Sequence, residues 1–177
     1  MKNLSTHSRA AKQLGDFGEG LVTYALICKG YEVAVVDHVG ADLIAEKGGN
    51  RFAISVKTRR FKPGIKESRY FTVEEPHLNK LVHFSDQFAM TPLFALTACV
   101  SDDNRIHLFM ARVDHIKQYL RKTQHGYAMN FGTTGIQELI SNPFIDYSSW
   151  ENEAIGQYDF STAAQATDTE TGDTCNK

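Results

Sequence analysis

The chain has 177 residues, 42% of them apolar and 23% charged, the balance of an ordinary globular domain with enough chain to bury one core. Three cysteines, Cys28, Cys99 and Cys175, are odd in number and widely spaced, which excludes a disulfide framework or a zinc pattern and suits a reducing compartment. The net charge of −2 is unevenly spread: residues 151–177 carry six acids against Lys177, or −5, leaving +3 on residues 1–150, a mildly basic body compatible with a nucleic-acid partner.

No stretch approaches the length of a membrane span, and the first fifteen residues lack the apolar segment of a signal peptide. A cytoplasmic protein without a membrane partner is expected. The expected organisation is one domain over residues 1–150, followed by an acidic tail over 151–177. The tail has no hydrophobic period from about residue 161 onward, and disorder is expected there.

Residues 8–29 read as a helix. Leu14, Phe17, Leu21, Ala25 and Cys28 form an apolar stripe, widened by Val22 and Leu26, and Gly30 suits the C-cap. Gly15, Gly18 and Gly20 are costly inside a helix. Close approach of another backbone would explain them, and a late helix start near Asp16 is the simpler reading. Glu19 lies at the margin of the stripe, either as a surface acid favoured by the helix dipole or within reach of a neighbouring element.

Residues 31–37 are β-branched and strand-like. A hairpin follows over residues 41–57, with Gly48-Gly49 as a type I′ turn. That turn fixes the register and sorts the side chains. Ala41, Leu43, Ala45, Phe52, Ile54 and Val56 fall on one face; Asp42, Ile44, Glu46, Arg51, Ala53, Ser55 and Lys57 fall on the other. Asp42 is placed opposite Ser55, with Lys57 on their side. Asp42 and Lys57 then make either an exposed diagonal ion pair or a site. Glu46 opposite Arg51 reads as an exposed cross-strand pair.

Residues 58–71 hold Arg59, Arg60, Lys62, Lys66 and Arg69 against Glu67, and Pro63-Gly64 marks the stretch as a loop. Directly after Lys57, it is a candidate for phosphate contact, with Arg59 and Arg60 foremost, then Lys62 and Lys66. Phe61 and Tyr70 either stack on unpaired bases or anchor the loop.

A second helix is expected over residues 74–90, with Pro76 in its first turn. Residues 93–100 are a near-continuous apolar run, suited to a strand buried on both faces. Residues 101–104 form a turn, 106–110 a strand, and 113–121 a short helix capped by Asp114. A further strand over 126–131 and a helical turn over 136–140 precede a segment in which Trp150 serves as a packing anchor. Cys28 and Cys99 lie in apolar runs and read as core. The seven histidines show no metal-ligand spacing.

Helix, strand, hairpin, helix, strand, strand is the order of an α/β domain around one mixed sheet. With Gly18-Glu19 in the first helix, Asp42 opening one strand and Ser55-Val56-Lys57 closing the next, it resembles the PD-(D/E)XK nuclease superfamily, in particular its Holliday-junction-resolvase-like and restriction-endonuclease-like members. The resemblance runs from about Gly15 to Met110. It implies a restriction-endonuclease-like α-β-β-β-α-β core around a mixed sheet, here with a short C-terminal extension. It also implies metal-dependent endonuclease action on DNA with Mg²⁺ or Mn²⁺ as cofactor. Asp42 would bind the metal, the carbonyl of Val56 would be a further ligand, and Glu19 an auxiliary acid. Lys57 would assist the attacking water. Many relatives dimerise to cut two strands, so a homodimer is the assembly the resemblance allows. Ser55 stands where most members have Glu, Asp or Gln. Either Glu19 supplies the missing charge, or metal binding is weakened or lost and the fold serves to bind nucleic acid or a protein partner without cleaving.

Overall fold

Gly48 and Gly49 have φ of 58° and 80°, the left-handed pair that a two-residue type I′ turn requires and that glycine adopts without steric cost. They close a hairpin whose partners run from Lys47 and Asn50 back to Leu43 and Ile54, the register expected from the sequence. The structure, a computed structural model, describes residues 4–61, 69–100 and 105–151. In chain order its elements are α1 (Leu4–Cys28), β1 (Glu32–His38), β2 (Ala41–Lys47), β3 (Asn50–Phe61), β4 (Tyr70–Glu74), α2 (Glu75–Gln87), β5 (Thr91–Val100), β6 (Arg105–Arg112), α3 (Val113–Tyr119), β7 (Arg121–Lys122), β8 (Gly126–Asn130), α4 (Thr133–Ser141) and β9 (Asp146–Glu151).

Six strands form one mixed sheet in the order β1-β2-β3-β5-β6-β9. Its neighbours are antiparallel except β3 and β5, which run parallel from Phe52 and Thr91 to Phe61 and Val100. Strand β5 is enclosed because both of its neighbours are long, and residues Phe94–Ala98 are all buried. Successive side chains point to opposite faces, so the sheet carries two cores. Val22, Ala25 and Leu26 of α1 pack on Leu43, Ile54, Val56, Ala95 and Leu108. On the other face Leu78, Leu81 and Phe84 of α2 pack with Phe94, Leu96 and Phe109. A small sheet, β4-β8-β7, closes that second core with Phe71, Val73, Tyr127 and Met129.

Several expectations are corrected. Helix α1 begins by Leu4 rather than near Asp16, so its glycines are interior. Its buried line is Gly18, Val22, Ala25 and Leu26, while Phe17 and Cys28 are exposed. The stripe is thus turned by about one residue, because the helix seats where glycine permits it. Residues 58–61 are strand, not loop, and Tyr70–Glu74 is strand as well. The cap of α3 is Arg112, and Asp114 lies within the first turn, where it accepts the N–H of His115. Strand β9 pairs with β6 and places Trp150 opposite Ile106 and beside Tyr24. Glu46 accepts the N–H of Gly49 at 2.6 Å, so its carboxylate braces the turn. The disorder expected from residue 161 and the turn at 101–104 lie outside the described residues. Among the described residues no helix is long and apolar enough to cross a membrane.

Candidate metal and phosphate site

The site begins where two strands part. The β2–β3 ladder ends at Leu43 and Ile54, whereas β3 continues beside β5 as far as Phe61. Asp42 stands in this fork. Its Oδ2 accepts the backbone N–H of Val56 at 2.6 Å, so the carboxylate replaces a main-chain partner that the parting strands no longer provide. In a strand the N–H and C=O of one residue point to the same side. The carbonyl of Val56 therefore also faces the fork.

Ile44 and Ala53 are paired. Ser55 is the next residue of β3 on that face, and Lys57 follows two residues on. On β2 the expected division of faces fails at Ala41, which packs with Ala53 and not with Leu43, Ile54 and Val56, and the ladder stops before Asp42 and Ser55 are paired. Asp42, Ser55 and Lys57 are all half-buried. Of the two readings of Asp42 and Lys57, the diagonal ion pair is not formed, and among the described residues Lys57 makes no salt bridge.

Glu19 comes from α1, which crosses β3 at Gly18 and Thr58. A Cβ on Gly18 would lie 1.8 Å from the Thr58 hydroxyl oxygen. Glu19 is half-buried, and its pKa is raised above the ordinary carboxylate value. Burial is the largest cause; the charge of Asp42 comes next and that of Asp16 third. Lys12 and Lys57 oppose the rise. The charges of Asp42 and Lys57 thus both act on Glu19. Carboxylates, peptide carbonyls and hydroxyls are the hard oxygen donors that Mg²⁺ or Mn²⁺ takes, and Glu19, Asp42, Val56 and Ser55 are residues that could offer them. Among the described residues no three His, Cys, Asp or Glu side chains gather as a metal cluster.

Alternation divides the basic run that follows. Arg59 lies on the face of Lys57; its guanidinium bonds the carbonyl of Thr58 at 3.0 Å and sits 5.1 Å from the centre of the Phe71 ring. Arg60 lies on the opposite face, where its charge acts on Cys99. Phe61 is buried and stacks on Phe131 at 4.6 Å, which makes it an anchor. Tyr70 is exposed. Lys62 and Lys66 lie outside the described residues.

Two contacts that shape the site escaped sequence reasoning. One is Gly18 against Thr58, signalled only by a glycine within a helix. The other is Gly40, where a Cβ would meet the Phe84 side chain at 2.5 Å. The N–H of Gly40 also bonds Nδ1 of His38 at 3.0 Å. Helix α2 thereby braces the turn that leads into Asp42.

No family model matches the sequence, and no curated protein is significantly similar to it. Among solved structures, the chain is similar to Hjc, a Holliday junction resolvase from the archaeal hyperthermophile Archaeoglobus fulgidus. The TM-score is 0.51 and the identity 18%, over 70% of this chain and 88% of the resolvase. At that identity the likeness is one of fold: the chain is an α/β protein with the restriction-endonuclease-like fold.

Proposed function

We propose that the protein is a metal-dependent endonuclease that hydrolyses DNA phosphodiester bonds. What supports this reading is Asp42 held by the N–H of Val56 where β2 leaves β3, with the charges of Asp42 and Lys57 both acting on Glu19, in a fold shared with a junction resolvase. Asp42, Glu19 and the carbonyl of Val56 would hold Mg²⁺ or Mn²⁺. A divalent cation at such a site supplies charge against the crowded phosphate oxygens and acidity for an attacking water.

The protein's own groups do the remainder. The N–H of Val56 fixes the orientation of the Asp42 carboxylate, so that one oxygen is committed to the backbone and the other is left for the ligand. Lys57, without a competing salt bridge among the described residues, offers its ammonium to a phosphate oxygen or to the water. Arg59, on the same face, holds the backbone of the nucleic acid. Two copies acting together would cut two strands.

A second reading follows from Ser55. With no carboxylate at that position, the same face would bind nucleic acid or a protein partner without cleaving. Incubating supercoiled, branched and single-stranded DNA with the protein in Mg²⁺ or Mn²⁺ separates the two. The nuclease reading expects cleavage that Asp42→Ala and Lys57→Ala each abolish while the protein stays folded. Salt-dependent binding with no cleavage of any substrate would instead establish the binding module.

A further inference from the structure

Helix α1 carries three interior glycines, and only one of them has a neighbour. A Cβ at Gly15 or Gly20 would meet nothing within 4 Å. At Gly18 it would lie 1.8 Å from Oγ1 of Thr58 and 3.1 Å from its Cβ. Gly18 and Thr58 are both buried. The Thr58 hydroxyl has no hydrogen-bond partner, so shape rather than bonding fits it beneath the helix. Glycine in a helix interior is less favourable than alanine, and that cost is offset here by close approach to β3.

The position of this contact matters more than its tightness. The apolar seat of α1 lies further along, at Val22, Ala25 and Leu26. Gly18 lies at the other end of that seat, and its successor is Glu19. Thr58 in turn follows Lys57. The contact therefore ties the backbone that carries one site residue to the backbone that carries another.

From this we infer that Gly18 is a positioning residue: the lack of a side chain lets α1 settle on Thr58 and sets Glu19 beside Asp42 and Lys57. The inference rests on Glu19 being a ligand of the proposed metal. A methyl group at Gly18 would force the helix, the strand or the Thr58 side chain to shift, since real Cβ atoms essentially never approach closer than 3.0 Å. Thr58 has little room to yield, because it is β-branched and enclosed. Glu19 would move with the helix, and supporting contacts of this kind typically change metal affinity by about 10- to 100-fold.

The test uses the full chain and Mn²⁺ alone, with binding followed by loss of the free-ion paramagnetic resonance signal and stability by Tm. Gly18→Ala is expected to weaken Mn²⁺ binding by about 10- to 100-fold. Gly18→Ala with Thr58→Ala removes the clashing hydroxyl and is expected to recover most of the loss. Leu26→Ala, in the apolar seat, is expected to lower Tm and leave the Mn²⁺ affinity unchanged. Thr58→Ile presses on the same contact from the strand, is expected to act as Gly18→Ala does, and decides the matter if Gly18→Ala does not fold. Wild-type affinity in Gly18→Ala, or equal weakening in Leu26→Ala, overturns the inference alone. A wild-type protein that binds no Mn²⁺ overturns the metal reading and this inference with it.

Discussion

Asp42 accepts the backbone N–H of Val56 at the point where the hairpin ladder has ended. The bond gives the aspartate a structural duty beside any chemical one. Asp42→Ala leaves the amide of a buried residue without a partner, which costs about 1–3 kcal/mol. Asp42→Asn keeps an acceptor oxygen and is expected to retain most of that stability. Urea unfolding in a chelating buffer checks the difference, and equal losses would mean that the bond contributes nothing. DNA cleavage is expected to disappear in both variants, because neither retains the carboxylate charge.

The raised pKa of Glu19 gives a pH dependence of definite sign. A carboxyl group with a higher pKa folded than unfolded binds protons more readily in the folded state. Its favourable contribution is therefore complete below the unfolded value and is lost as pH rises through the folded one. Burial and the neighbouring charge of Asp42 are the leading causes. In metal-free buffer, Glu19→Gln is expected to raise Tm at neutral pH and leave it little changed in acid. With Mn²⁺ present the order at neutral pH reverses, since the wild type then gains from the ligand. Thermal scans across the carboxylate range, with and without Mn²⁺, read both outcomes.

Ser55 shares the face of Lys57 on β3, next to the Val56 whose N–H bonds Asp42, so Ser55→Glu adds a third acid where the chain now offers a hydroxyl. Affinity for Mn²⁺ is expected to rise by roughly tenfold, because ligand charge sets the strength of such sites. Metal-free stability is expected to fall through repulsion with Asp42 across the hairpin. In that background Glu19→Gln should cost less metal affinity than it does in the wild type. Calorimetric titration of the four proteins decides this; an unchanged affinity in Ser55→Glu would place the side chain outside the coordination shell.

Arg59 and Arg60 separate by the alternation of β3. If Arg59 meets a phosphate, Arg59→Ala is expected to weaken DNA binding and lower the slope of log affinity against log salt by about 1. Arg60, on the face of Cys99, is expected to change that slope by much less. Binding isotherms over a range of salt concentrations compare the two directly, and equal changes would show that the strand does not divide them.

The hairpin was legible in the sequence because its determinants are local: two turn glycines and a strict alternation. They place Ser55 and Lys57 on one face, but the alternation does not carry through to Ala41, which packs with Ala53 instead of Leu43. The enclosed strand β5 was legible from its unbroken apolar run. Strand β4 was hidden by the basic stretch that contains it. Strand β9 was hidden because its burial alternates only weakly. The seat of α1 lies about one position from its apolar stripe, since that pattern counts Phe17 and Cys28, both exposed, but gives no weight to a glycine that fits a neighbour. The bond from Val56 to Asp42 was beyond the sequence altogether, because it depends on where two strands part.

That bond has an evolutionary consequence. Under the nuclease reading, a descendant that no longer cut DNA would still be selected to keep Asp42, because the carboxylate holds the open end of the hairpin. Lys57 has no such second reason, being half-buried and without a salt bridge among the described residues. Persistence of the aspartate among relatives would therefore say little about whether they are enzymes. Persistence of the lysine is the informative trace, and its drift would mark the lineages in which the fold outlived the chemistry.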